Sequence, residues 1–458
     1  MLYRGNLPSS IIIVYISSLY FYPADRVSPA FEKGPAIMLK GYSMHYGRDS
    51  MSFSLDQSLV SAVLRIKDCP SLADPAEAVR KAIRNPIDST PLREIVKPGE
   101  TVTFIVNDPT RVANSHVFLP VMIRELNDAG VPDSNMRIIF ALGTHRAMTE
   151  KEMAETVGEE IAVRIKMYNS ECKDESQFVY FGTTSRSTKV SFHKVAAEAD
   201  HIICTGSVVH HFFAGFGGGR KALFPGVSAY ETIRHNHSFM MDPNAVIGRL
   251  HGNPIYEDQI EGAEMCRPSF LLNVVLNENY EFLRIFAGDY IAAHLEACKF
   301  VESVYSTSLE KEADLVIASC GGFPKDINIY QLQKTMDNAW CAVREGGVVI
   351  ILGECCEGSG SALYEQTMRE CRTPERIAEK LKDSFQIGAH KAYAVTRLMK
   401  KARFILVSAL SPELAETLLF TPAKDMNEAL RLAYEIVGKS PDIVLMPQGS
   451  LTVPMVKK

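Results

Sequence analysis

The chain carries no CxxC pair, no HExxH motif, no GxxxxGK[ST] loop and a single tryptophan in 458 residues. Without CxxC there is neither a zinc ribbon nor a thioredoxin-like redox pair. Without HExxH the metalloprotease helix is excluded, and without the GK[ST] ending there is no Walker loop. Charge of one sign is also lacking: 49 Lys+Arg against 54 Asp+Glu leave a net charge of −5, which gives no electrostatic basis for binding nucleic acid or an anionic membrane. The most apolar run, residues 10–22, is too short to span a bilayer. It has only Arg4 before it and no small-residue cleavage pattern after Pro23, so it reads as an extension ahead of Met38 rather than as a signal peptide. Ten cysteines scattered without pairing suit the reducing cytoplasm. No internal repeat is evident.

What is present is the composition of an ordinary globular protein, 46% hydrophobic and 22% charged. A chain of this length exceeds one typical core, so two or three domains are expected. Short apolar runs alternate with helix-like stretches: residues 101–106, 117–128, 136–142, 201–205, 270–276 and 291–305, then 313–319, 329–344, 347–352, 391–401, 404–408, 426–437 and 442–446. Residues 51–55 read as a strand and 58–65 as the start of a helix. Thr149 and Glu152 have the spacing of a capping box. The alternation predicts an α/β fold of two domains with mainly parallel sheets flanked by helices. The polar stretch 306–312 marks the boundary. This gives an N-terminal extension (1–40), an N-terminal α/β domain (41–306) and a C-terminal α/β domain (307–458), whose extreme end could return to the first.

Ligands of open α/β sheets bind beyond the carboxyl ends of strands. Four polar clusters follow apolar runs here: Asn107–Arg111, Gly143–Arg146, Thr205–Lys221 and Cys320–Lys334. Of the twelve histidines, His201, His210, His211, His235 and His237 fall within one short span. Neutral imidazole is both a metal ligand and the acid/base matched to neutral pH. Between the histidines, Gly215-Phe-Gly217-Gly218-Gly219-Arg220-Lys221 combines a glycine-rich turn, able to present N–H groups to a phosphate, with adjacent positive charge. Asp108 and Arg111 add a carboxylate and a guanidinium, although such a turn is more often a plain helix cap. Tyr330, Gln331 and Lys334 share a helical face by spacing, for which a solvated surface is the ordinary explanation.

Taken together these residues resemble the lactate racemase family. The most specific piece is His211-Phe-Phe-Ala-Gly-Phe-Gly-Gly-Gly-Arg-Lys221, with Pro225 and Asn236-His237. Asp108-x-Thr-Arg111, Gly143-Thr-His145-Arg146 and Asn328-Ile-Tyr-Gln331-x-x-Lys334 support it, and the similarity runs from about Tyr42 to the end. The resemblance implies a nickel pincer nucleotide, a pyridinium mononucleotide with two sulfur-bearing arms. Lys221 would hold it, in some members covalently, and His237 would complete the nickel coordination. Asp108, Thr110, Arg111, Gly217, Gly218, Gly219 and Pro225 would bind the nucleotide. His145 and His211 would be the acid/base pair, and Tyr330, Gln331, Lys334 and His390 would meet the substrate, in a cleft between the two domains. It further implies cofactor-assembly proteins as partners and leaves a homo-oligomer open. Where lactate-specific relatives carry a tryptophan this chain has His390, which points to a larger or more polar 2-hydroxy acid or a sugar acid. Two other readings of the residues stand beside it. A zinc- or iron-dependent hydrolase or lyase would use the His cluster, and metal analysis separates it. A nucleotide-binding sensor would bind at the glycine loop without turnover.

Overall fold

The computed structural model describes residues 38–383, 385 and 388–457. Of the extension assigned to residues 1–40, residues 1–37 lie outside the described residues, while Leu39 and Lys40 already belong to the strand Leu39–Tyr46. The chain forms two compact units that interleave in sequence. The central unit comprises Ile66–Ser306 and Pro374–Tyr393; the terminal unit comprises the segment ending at Arg65, Thr307–Thr373 and the chain from Ala394 onward.

The central unit is built on a six-stranded sheet in the order Phe282–Gly288, Phe270–Leu276, His201–Ser207, Val102–Asn107, Met136–Ala141, Lys166–Asn169. All neighbours are parallel except the first pair. Side chains of a strand alternate between faces, and here both faces are covered. Phe104, Val106, Ile138 and Phe140 pack into one apolar cluster with Phe118 and Met122 of the helix Ser115–Asp128. Ile105, Ile139 and Cys204 enter the other with Phe192, Leu223 and Phe224. Burial on both faces explains why these strands read as continuous apolar runs.

In the terminal unit a second six-stranded sheet runs in the order Thr421–Ala423, Arg403–Val407, Val343–Leu352, Ala313–Ser319, Ile443–Met446, Val60–Val63, parallel throughout. An antiparallel hairpin, Leu39–Tyr46 with Asp49–Asp56, places Met44, Phe53 and Leu55 in the apolar core beside Leu315, Ile317 and Ile350.

The structure departs from the sequence reading in three places. Residues 58–65 do not begin a helix: Asp56 caps a short turn, Gln57–Leu59, and Val60–Val63 becomes the edge strand beside Ile443–Met446. β-branched side chains at 60 and 63 suit that pairing. The helix expected over 329–344 ends at Trp340, because Val343 already opens the strand that pairs with Ala313–Ser319. The units also differ from a division at 306 alone, since the segment before Arg65 joins the terminal unit and Pro374–Tyr393 joins the central one. Neither partner is near in sequence, so chain order could not reveal the pairing.

Candidate functional site

From Val102–Asn107 the central sheet grows outward through Met136–Ala141, and the chain later returns to place His201–Ser207 on the opposite side. Connections leaving the two neighbours therefore diverge at their carboxyl ends, the place where open α/β sheets bind ligands. Asp108, His145 and His211 all follow strands that end at this edge.

Asp108 is 3% exposed, and both of its oxygens are taken. Oδ1 accepts from the Thr110 amide at 2.8 Å and from its hydroxyl; Oδ2 accepts from Arg111 Nη1 at 2.9 Å and faces His145 Nδ1 at 3.1 Å. Burial by itself would raise this carboxyl. The His145 hydrogen bond, the Arg111 charge and Thr110 outweigh it and hold the group well below the usual carboxylate range. An ionised carboxylate can only accept, so His145 donates from Nδ1 and keeps Nε2 for exchange with a ligand. Asp108 thus orients Arg111 and His145, a role that its place in the sequence does not announce. A separation of 37 residues hid the Asp108–His145 pair.

His211 lies on a two-residue hairpin strand opposite Gly215–Phe216. Its Nδ1 accepts the Ala214 amide at 3.2 Å, so in the neutral ring the proton is on Nε2. Enclosure, then the charges of Lys221, Arg111, His237 and Lys391, push its pKa well below that of a free histidine. Phe213, which the sequence reading passed over, is the shared wall of the site. Its ring centroid is 4.5 Å from that of His211 and 5.1 Å from that of His237, with Lys221 Nζ at 5.7 Å. Phe213 is only 3% exposed. A buried aromatic beside two histidines carries no sequence signal beyond its place in the motif.

Lys221 and His237 are both held away from charge. Burial first, then Arg220 and Arg111, lower the Lys221 pKa well below the ordinary lysine value, favouring a free amine. His237 is pushed down to about 3 by burial and then by Lys221 and Arg111. Its Nδ1 is buried with no hydrogen-bond partner among the described residues. The other histidines of the cluster go elsewhere: His201 pairs with Glu100 at 2.7 Å, His210 packs on Phe216, and His235 meets Thr188 at 2.8 Å. His390 does reach the group, 6.4 Å from His237 between ring centroids, and its Nδ1 accepts from Gly388 at 2.9 Å. Lys391, unnoticed in the sequence, lies 4.8 Å over the Phe212 ring.

The glycine loop is fitted closely to its floor. A Cβ at Gly219 would come within 2.5 Å of the His294 ring, and one at Gly218 within 2.8 Å of Asn273 Oδ1, both at positive φ. The amides of Gly217 and Gly219 are not free for a phosphate, being bonded to Val209 O and Asn273 Oδ1 at 2.8 Å each. Pro225 is followed by Gly226, whose carbonyl accepts the Gly143 amide at 2.9 Å and so ties this loop to the one bearing His145. Tyr330, Gln331 and Lys334 stand in the first turns of the terminal unit's helix Ile329–Trp340, capped by Asn328. That helix follows the carboxyl end of Ala313–Ser319.

No three His, Cys, Asp or Glu side chains among the described residues converge as a metal-holding set. A metal here would have to arrive with most of its own donors, and the His237 imidazole beside the Lys221 amine, whose pKa burial lowers, fits such a group. The same donor set does not fit a protein-ligated hydrolytic zinc.

The fold together with the relatives it matches defines an α/β isomerase of the racemase type. The chain belongs to the lactate racemase family: the family's N-terminal domain profile matches residues 46–248 and its C-terminal domain profile residues 309–453. A lactate racemase of Thermoanaerobacterium thermosaccharolyticum is 32% identical over 413 residues, covering 88% of this chain and 96% of the relative. One from Lactiplantibacillus plantarum is 33% identical over 380 residues, 81% and 89% of the respective chains. The apoprotein structure of the T. thermosaccharolyticum lactate racemase superposes with a TM-score of 0.85 at 31% identity, over 91% of this chain and all (100%) of that one. A Thermotoga maritima structure, 17% identical, shares the fold with a TM-score of 0.64 over 84% of this chain and 99% of its own. Among the described residues no helix is long and apolar enough to cross a membrane.

Proposed function

We propose that the chain inverts the carbinol carbon of a small 2-hydroxy acid, lactate or a related acid, with His145 and His211 as the acid/base pair. The observation that carries this reading is the convergence of both imidazoles with Lys221, His237 and Arg111 at one sheet edge. A nickel pincer nucleotide is the group the residues suit: Lys221, as a free amine, would hold it, and His237 would supply one metal ligand. When bound, that group supplies an acceptor for the hydrogen on carbon 2. Arg111 spends one N–H on Asp108 and keeps others for an anionic group. Thr110, Gly217, Gly218, Gly219 and Pro225 shape the floor and walls around the nucleotide.

The C–H beside a hydroxyl and a carboxylate is a very weak acid, so the chain's task is to move the hydroxyl proton. Asp108 holds the Nδ1 proton of His145 in place, which confines exchange to Nε2. His211 serves the opposite face. Each such group contributes about 10²–10⁴-fold. Tyr330, Gln331 and Lys334 hold the substrate. His390, with Nδ1 occupied, presents Nε2–H as a donor and favours a more polar acid than lactate. In this reading the protein works in the cytoplasm and receives its cofactor from assembly proteins.

The test uses cofactor-loaded enzyme and enantiopure 2-hydroxy acids deuterated at carbon 2. Label should be largely retained on inversion, and His145→Ala and His211→Ala should each lose about 10²- to 10⁴-fold in both directions. Complete exchange of label with water, or near-normal rates in either variant, would refute the mechanism.

A further inference from the structure

Beneath the glycine loop lies a cation with no carboxylate among its hydrogen-bond partners in the described residues. Arg220 is fully buried, and its guanidinium donates to three neutral acceptors: Gln259 Oε1 at 3.1 Å, Ala214 O at 3.0 Å and Phe216 O at 3.4 Å. The Tyr256 ring covers it, 4.5 Å away. A buried charge is costly unless matched, so its counter-charge must lie further along the hydrogen-bond chain. Gln259 Nε2 donates to Asn236 Oδ1 at 3.0 Å, and Asn236 Nδ2 donates to Asp258 Oδ2 at 2.8 Å. Thr188 at 2.9 Å and Thr184 at 2.5 Å complete the Asp258 carboxylate. All four members, Arg220, Gln259, Asn236 and Asp258, are 0% exposed. Arginine can only donate and a carboxylate only accept, which fixes the orientation of both intervening amides.

The chain separates the charges of one ion pair. Its negative end, Asp258 on the buried side of the helix Pro254–Cys266, is solvated by two hydroxyls, while its positive end sits in the loop next to Lys221. Such an arrangement leaves the field above the loop positive even though the buried network as a whole is neutral. It also links the residue before Lys221 to the residue before His237.

We propose that Arg220 is the buried charge of an anion site above the glycine loop, kept available because Gln259 and Asn236 hold its counter-ion Asp258 at a distance. The site takes the anionic part of a nucleotide, and this rests on the reading that the loop receives one. Arg220 and Gln259 are positioning residues that act through the loop rather than by contact.

The chain can be rewired without changing its total charge. In Gln259→Glu/Asp258→Asn the carboxylate moves next to Arg220 and Asn236 turns over to donate to it, giving up its 3.2 Å bond to Ile255 O. The full-length, cofactor-free protein is titrated calorimetrically with nicotinic acid mononucleotide. The double variant should melt close to the wild type yet bind the probe about tenfold more weakly, because a direct ion pair now cancels the field. Asp258→Asn alone, which removes the counter-ion, should bind the probe at least as tightly as the wild type. Equal affinity in a folded double variant, weaker binding in Asp258→Asn, or no binding by the wild type would each overturn the proposal. Should the double variant not fold, Asp258→Asn decides alone. The racemase reading is judged separately by label retention, so either can fail while the other stands.

Discussion

His294 is 1% exposed beneath Gly219, and its ring is the surface on which the glycine loop rests. Nε2 donates to Gly217 O at 2.8 Å. Burial, and then the Arg220 charge, push its pKa down to about 3. The sign of the linkage follows from that direction. The unfolded chain takes up a proton near the ordinary histidine value of about 6.5, whereas the folded site refuses it. Stability is therefore complete above that value and falls as pH drops toward 3, by about 1.4 kcal/mol per pH unit while only the unfolded form is protonated. His294→Gln keeps a donor for Gly217 O and removes the titration. Denaturant unfolding of wild type and variant between pH 7 and pH 4 should show a shallower acid limb in the variant. Parallel limbs would mean that His294 charges as easily in the fold as outside it.

The hairpin His210–His211/Gly215–Phe216 sets a constraint on catalysis at the scale of one element. A histidine that accepts a proton at Nε2, or that donates one as imidazolium, must carry a proton on Nδ1. In the present arrangement His211 Nδ1 instead accepts the Ala214 amide. On the proposed acid/base role of His211, the turn must therefore release this hydrogen bond during catalysis. In cofactor-free protein labelled with ¹⁵N-histidine, His211 should show the proton on Nε2, and His145 should show it on Nδ1 through Asp108. On loading with cofactor and substrate analogue, the His211 pattern should shift and the Ala214 amide should lose protection. A proton on His211 Nδ1 in the free protein would disprove the locked turn. Elements of this kind were only partly legible from sequence. The strands 102–107 and 136–141 and the capping box at Thr149 announce themselves through apolar runs and local spacing. The glycines, histidines and Lys221 stand out by type. What could not be read was which nitrogen each imidazole uses, that Asp108 serves His145, and that Gly217 and Gly219 spend their amides internally. Those facts depend on partners brought together by the sheet.

At the scale of the whole molecule, the α/β class follows from alternation of runs and helices, but membership of the units does not. Strand pairing across long separations leaves no periodic trace, so nothing local says that Val60–Val63 pairs with Ile443–Met446. The consequence is a sharp difference between two truncations. Residues 1–37 precede every described element, and a chain starting at Met38 should retain its thermal stability and activity. A chain starting at Ile66 loses the edge strand and the hairpin, and with them Met44, Phe53 and Leu55, which are at most 6% exposed in the terminal core. Removing one large buried apolar side chain costs about 2–5 kcal/mol. Three together, with Ile443, Val444 and Leu445 left without their edge-strand partners, rival the roughly 5–15 kcal/mol that stabilises an entire domain. The terminal unit should then fail to fold cooperatively, while the core of the central unit, which draws on Ile66–Ser306 and Pro374–Tyr393, keeps its own residues. Calorimetry and limited proteolysis of the two truncations compare them directly. The expected result is a native-like transition for the Met38 start and, for the Ile66 start, selective cleavage within Thr307–Thr373 and beyond Ala394. A stable, protease-resistant terminal unit in the shorter chain would show that the hairpin and edge strand are decoration on a core that is complete without them.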